Sequence, residues 1–246
     1  MKCFCPLASG SKGNAIYLDT GESKLLIDAG LSAPQLKKRL GALNIDIGQI
    51  DAILVTHEHT DHIRGLDKIA EKCAIPIFAN ADTARTIAQT LSTRPKFKIF
   101  STGETFSFGN VDIHPFSVQH DTLDPVAFTI TIGEVKVGIC ADLGFVTTLV
   151  RANLAHCTYL YLESNHDPGM VYACRRPPIY KQRVLGRQGH ISNDEAAALL
   201  ASVHHDGLLH VYLAHLSEEC NNPELAVQTS LDRLAEIGAK PSLSIA

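Results

Sequence analysis

THEHTDHIRG (56–65) places His57, His59, Asp61 and His62 within six consecutive positions. The segment before it, Asp51-Ala-Ile-Leu-Val-Thr56, is apolar and β-branched and reads as a buried strand, while IRGLDKIAEKCA after it reads as helical. Where a strand end turns into a helix, side chains two apart converge on one point and the next pair is aimed nearby. Imidazoles and carboxylates gathered in this way suit Zn2+, Mn2+ or Fe2+. With 12 histidines among 246 residues, H-x-H-x-D-H arises by chance in roughly one chain in several hundred. Four ligands on one loop do not complete two metal shells, so the remainder must come from elsewhere in the chain.

The chain is long enough for a real core: 246 residues, 45% of them hydrophobic. A net charge of −4 excludes a globally basic nucleic-acid binder, so a nucleic-acid role requires a local patch. No apolar run approaches the roughly 20 residues that span a bilayer, and the first residues carry no secretory pattern. The reading is a cytoplasmic protein without a membrane partner. Seven scattered cysteines fit reduced, mostly buried thiols. Cys3-x-Cys5 is the one close pair and lacks the second pair of a structural zinc site.

Three strands joined by tight turns open the chain: CFCPLA, NAIYLDT and KLLIDAG. A helix follows from Pro34, then the strand before the histidines, the strand IPIFAN and a helix near ADTARTIAQTLS. Residues 97–140 return to strands, and TYLYLES is another. Residues 167–189 hold prolines and arginines with no clean period. Two well-signalled helices come after: SNDEAAALLASV, with Ser192 and Glu195 at capping-box spacing, and NNPELAVQTSLDRLAEIG, with Asn222 as cap and Pro223 behind it. The strand LHVYLAHL lies between them. Strands in both halves with helices interspersed suggest two sheets with helices outside.

H-x-H-x-D-H behind an apolar strand resembles the metallo-β-lactamase superfamily of binuclear metallohydrolases. The resemblance implies further ligands in order, and each has a match: Asp28 in LLIDAG, His120 in VQHD, Asp142 in ICADLG and His215 in YLAHLS. It implies a single domain over residues 1–246 with the α/β four-layer αββα sandwich, and two divalent metal ions. One ion would be held by His57, His59 and His120, the other by Asp61, His62 and His215, with Asp142 bridging both. Asp28 would orient the ligand loop rather than touch metal. Two cations, two carboxylates and a bridging hydroxide leave a residual positive charge that suits a phosphodiester.

SGSKGN (9–14), ESNHD (163–167), GHISN (189–193) and HLSEECNNPELA (215–226) together resemble the YycJ/WalJ-type branch, which implies a 5′→3′ DNA exonuclease. His190 stands just before the helix capped at Ser192, where free backbone N–H groups favour an anion. His190, Ser192 and Asn193 are therefore candidates to hold a phosphate, and Asp61 and His190 are the candidate catalytic groups, Asp61 orienting the nucleophile. The basic stretch ACRRPPIYKQRVLGRQ offers Arg175, Arg176 and Arg183 to phosphates, with Tyr172 and Tyr180 interleaved. DNA is the expected partner, with RNA as the alternative nucleic acid. Two other readings stand beside it: a small-molecule hydrolase of a cyclic phosphodiester, thioester or lactone, and a non-catalytic metal-binding regulator.

Overall fold

Glycine turns fold the first residues back on themselves: β1 (Cys3–Ala8), β2 (Ala15–Asp19) and β3 (Lys24–Ile27) pair antiparallel. Gly10 (φ 107°) and Gly13 (φ 152°) supply the left-handed backbone of the first turn. The structure is a computed structural model that describes the backbone of residues 1–246 and every side chain except those of 70–72. The chain divides into two compact units, Met1–Pro115 with Thr122–Val126, and Phe116–Asp121 with Ala127–Ala246.

In the first unit, α1 (Ala33–Ala42) follows β3 and buries Leu36 and Leu40. Then come β4 (Ala52–Leu54), α2 (Thr60–Ile63), α3 (Leu66–Cys73), β5 (Ile77–Ala79), α4 (Ala81–Thr90) and β6 (Phe97–Ile99). The sheet order is β1-β2-β3-β4-β5-β6, parallel from β3 onward. The stretch read as one helix over 63–74 instead holds the end of α2 at Ile63 and all of α3 from Leu66, with Gly65 between them. A Cβ there would lie 2.5 Å from the Leu31 carbonyl oxygen. The hairpin β7 (Phe106–Phe108) and β8 (Val111–Ser117) pairs Phe106 with Ile113. Leu26, Ile53, Val55, Leu66 and Ile77 are packed in one core, each contributing about 1.5–3 kcal/mol through burial.

The second unit continues with β9 (Val126–Ile132), β10 (Val135–Cys140), α5 (Thr148–Leu154), β11 (Tyr159–Glu163), α6 (Pro168–Ala173), α7 (Pro178–Leu185), α8 (Asn193–Val203), β12 (His210–Ala214), α9 (Pro223–Glu236) and β13 (Ser242–Ile245). The strands stand in the order β13-β12-β11-β10-β9; β10 to β13 are parallel and β9 is antiparallel to β10. Helices make the crossovers that parallel pairing demands. Their apolar faces pack with the sheet around Leu160, Leu162, Leu199, Leu213 and Leu234.

Residues 167–189 hold two short helices, α6 and α7, where the sequence shows no period. Asp167 accepts the Met170 N–H at 2.8 Å and starts α6, and prolines open both α6 and α7. Too few apolar residues recur in these short helices for a period to show. The helix α5 and the edge strand β13 are likewise additions to the sequence reading. No described helix is long and apolar enough to cross a membrane.

Candidate metal centre

In open α/β sheets the carboxyl ends of parallel strands are where ligands bind. In the first unit those ends are Ile27 of β3 and Leu54 of β4; Asp28 follows the first directly, and Thr56-His57 follow the second after Val55. Asp28 is buried and its carboxylate organises the turn. Oδ1 accepts the Thr56 N–H at 2.9 Å, and Oδ2 accepts the Thr56 hydroxyl at 2.9 Å and the His62 ring at Nδ1, 2.7 Å. With its one proton given to Asp28, the Thr56 hydroxyl accepts from His57 Nδ1 at 3.0 Å. Both tautomers follow from this network: His57 and His62 carry hydrogen on Nδ1 and present Nε2. His57 Nε2 lies 3.2 Å from His59 Nδ1, and His62 Nε2 lies 3.7 Å from Asp61 Oδ2. The first unit thus brings together His57, His59, Asp61 and His62, supported from below by Asp28.

The second unit repeats the principle at β10, β11 and β12. His120 is buried and donates from Nδ1 to the Gly189 carbonyl at 3.1 Å, so it too presents Nε2. Burial holds its pKa below the usual histidine value, with neighbouring Asp142 pulling the other way. A neutral imidazole is the form a metal requires. Asp142 Oδ1 lies near two ring nitrogens, His120 Nε2 at 3.5 Å and His215 Nε2 at 3.4 Å. Neighbouring donors in a tetrahedral site with bonds of about 2.0–2.1 Å stand about 3.3–3.4 Å apart. In both units the donor spacing and the mix of imidazole and carboxylate therefore fit a divalent ion.

Backbone strain marks the same positions. Asp28, Asp142 and His215 adopt φ of 59°, 55° and 54°. The left-handed region costs a non-glycine residue about 1–3 kcal/mol and tends to persist where function requires it. Each of the three lies within two residues of a parallel strand end, where the abrupt reversal aims the side chain over the strand edge.

Glu163, the last residue of β11, lies among the candidate ligands and was not singled out from the sequence. It is fully buried, and its Oε2 accepts the Leu143 N–H at 2.6 Å. Its Oε1 accepts His190 Nδ1 at 2.6 Å and lies 3.4 Å from His215 Nδ1. Burial opposes its charge, but His190 and His215 outweigh that and keep its carboxyl below the usual value. One donor atom from each of Asp142, Glu163, His190 and His215 lies within 4.8 Å of the others. The signal was an acid ending an apolar strand in ESNHD, which alone is indistinguishable from a solvent-facing strand end.

The remaining candidates fall into two groups. His190 is partly exposed and its ring stacks on His215 with centroids 5.1 Å apart. Ser192 caps α8, donating to Glu195 Oε2 and accepting the Glu195 N–H, and buried Asn193 joins Ser164 to Asn221. Both side chains serve the frame around His190. On the basic stretch, Arg176 forms a bidentate pair with Glu219, and Arg183 donates to Asp121 Oδ2 at 2.7 Å. Arg175 is exposed at the start of the turn between α6 and α7.

Residues 23–215 match the family described as β-lactamase superfamily domain, and the chain belongs to it. Two relatives extend the likeness over nearly all of the chain. It is 37% identical to the exodeoxyribonuclease YycJ of Bacillus anthracis, covering 96% of this chain and 90% of that protein. It is 34% identical to the exodeoxyribonuclease WalJ of Streptococcus pneumoniae, covering 94% and 87%. Among solved structures, the metallo-β-lactamase fold protein YhfI from Bacillus subtilis superposes with a TM-score of 0.75 at 18% identity, over 99% of this chain and 95% of that one. The chain therefore has the metallo-β-lactamase α/β fold.

Proposed function

We propose that this chain is a metal-dependent exodeoxyribonuclease of the YycJ/WalJ type, acting in the cytoplasm as one domain over residues 1–246. The observation that carries the reading is the likeness to two proteins of that name over nearly the whole chain, with every His and Asp of the ligand pattern present. His57, His59 and His120 would hold one divalent ion, Asp61, His62 and His215 the other, and Asp142 both. Such ions supply Lewis acidity toward a phosphoryl oxygen and a nucleophile at neutral pH.

The residues around them divide the remaining work. Asp28, Thr56, Gly189 and Glu163 hold the ring tautomers, so that binding a metal requires little reorganisation. Asp61 orients the attacking oxygen. His190 has Nδ1 committed to Glu163, which leaves Nε2 to donate a proton or hydrogen bond to the phosphate or its leaving group. End-labelled single- and double-stranded DNA and RNA, digested with added Zn2+, Mn2+ or Fe2+, test the reading. Stepwise release of nucleotides from DNA ends is expected. Inert nucleic acid with turnover of small phosphodiesters would replace it with the small-molecule reading.

Arg175, Arg176 and Arg183 are proposed to track the DNA backbone. The carboxylate partners of Arg176 and Arg183 do not argue against this, because exposed ion pairs are worth about 0–1 kcal/mol and exchange readily for phosphate. Replacing each arginine by glutamine should weaken DNA binding at every sequence and flatten its salt dependence by roughly one unit of slope per lost contact. Metal content should not change. An unaltered slope, measured by anisotropy from low to moderate salt, would return the stretch to solvent.

A further inference from the structure

The SGSKGN turn has no part in the site described so far, yet its last residue reaches into the ligand loop. Asn14 is buried, with 4% of its surface exposed. Its backbone N–H donates to the Asp61 carbonyl at 2.7 Å, and its own carbonyl accepts from Gly30 N–H at 2.8 Å. The Gly10 N–H donates to Asn14 Oδ1 at 2.8 Å, which settles the orientation of the amide. The NH2 group therefore points toward the ligands, with Nδ2 at 2.9 Å from His62 Nε2 and 3.3 Å from Asp61 Oδ2. His62 Nδ1 is already committed to Asp28, so Nε2 offers a lone pair.

The backbone around Asn14 is built for this approach. A Cβ on Gly30 would lie 1.5 Å from the Asp61 carbonyl oxygen and 2.6 Å from the Asn14 nitrogen. At Gly13, φ is 152° and a Cβ would meet Leu31 Cδ2 at 2.8 Å. Neither position admits a side chain: Gly13 seats the turn against Gly30 and Leu31, and Gly30 seats against Asp61.

We propose that Asn14 is a positioning residue for the metal-binding loop: its amide holds the Asp61 carboxylate in ligand geometry and occupies the His62 Nε2 lone pair only until an ion takes it. Each hydrogen of the NH2 group has one of these ligands as its acceptor. When an ion takes the His62 Nε2 lone pair, the amide retains Asp61 Oδ2 and keeps that carboxylate from rotating out of reach. This role rests on the metallohydrolase reading, and it concerns the ion expected on Asp61 and His62 rather than the one on His57 and His59.

The test uses the full chain, titrated with Zn2+ or Mn2+ in competition with a chromophoric chelator, alongside melting temperature and DNA turnover. Asn14→Ala should weaken one of two metal sites by about 10–100-fold, the usual loss when a group that orients a ligand is removed. The other site should be unchanged. Asn14→Asp retains the acceptor for Gly10 but turns the donor into an acceptor facing Asp61, so its turnover should fall as well. Wild-type turnover in Asn14→Asp would show that only the Gly10 anchor matters and would overturn the proposal. So would Asn14→Ala with a lowered melting temperature and unaltered affinity at both sites, the signature of a purely structural residue. A wild-type chain without affinity for divalent ions would overturn the metallohydrolase reading and this role with it. Tight binding by wild type that Asn14→Ala leaves intact would overturn the role of Asn14 alone.

Discussion

Asp142→Ala should hold one divalent ion or none, where the wild-type chain holds about two, and should lose all measurable turnover of DNA. The carboxylate is 3% exposed and its Oδ1 lies 3.5 Å from His120 Nε2 and 3.4 Å from His215 Nε2. Asp121 meets His120 Nε2 at 3.4 Å and Glu163 meets His215 at Nδ1, whereas Asp142 faces Nε2 of both rings. Alanine at φ 55° keeps the backbone strain and loses the interactions that compensate it. Asp142→Gly separates the two effects, because glycine adopts that conformation at no cost. The glycine variant should melt higher than the alanine variant, and both should be equally poor in metal. Elemental analysis after gel filtration gives the answer, and two full equivalents in either variant would remove Asp142 from the bridge.

The second large effect is at His190. Turnover should fall by roughly 10²–10⁴-fold on replacement, the range for a positioned acid–base or charge-stabilising group, with metal content retained. The loss should appear in kcat if the contact strengthens only in the transition state. From sequence, His190→Ala is expected to leave folding nearly untouched. The structure changes that expectation, because His190 Nδ1 is the 2.6 Å partner of fully buried Glu163. Removing the donor of a buried carboxylate costs about 1–3 kcal/mol when the acceptor is left unsatisfied. Glu163 keeps Leu143 N–H and His215 nearby, so the cost should fall at the low end of that range. His190→Gln retains a donor for Glu163 and is the better variant. It should melt close to wild type and still turn over DNA at least a hundredfold more slowly. Near-wild-type turnover per folded molecule would take His190 out of the chemistry.

His57, His59, Asp61 and His62 were legible because their arrangement is local. A β-branched run, a turn and a helix start lie in one short stretch, and spacing along the chain translates directly into spacing in space. The capped helices α8 and α9 were legible for the same reason, since Ser192 and Glu195, or Asn222 and Pro223, act within a single turn. His120, Asp142 and His215 were found only through resemblance, because a lone histidine or a strand-end acid carries no pattern of its own. The helices α6 and α7 escaped because they are too short to show a period and are stabilised by what they pack against.

By itself, then, the sequence determined the ligand loop, the two late helices and the alternation of strands and helices that makes an α/β fold. Tertiary structure alone decided the rest of the centre. Glu163 meets His190 across 27 residues, Asn14 meets His62 across 48, and Asp28 meets Thr56 across 28. The left-handed backbone at Asp28, Asp142 and His215 is likewise held by tertiary contacts, since aspartate and histidine enter that region more readily than most residues but still at a cost. The physical reason is common to all of them: a hydrogen bond or a strained dihedral of this kind is favourable only after sheet formation has brought distant strand ends side by side and excluded water from between them.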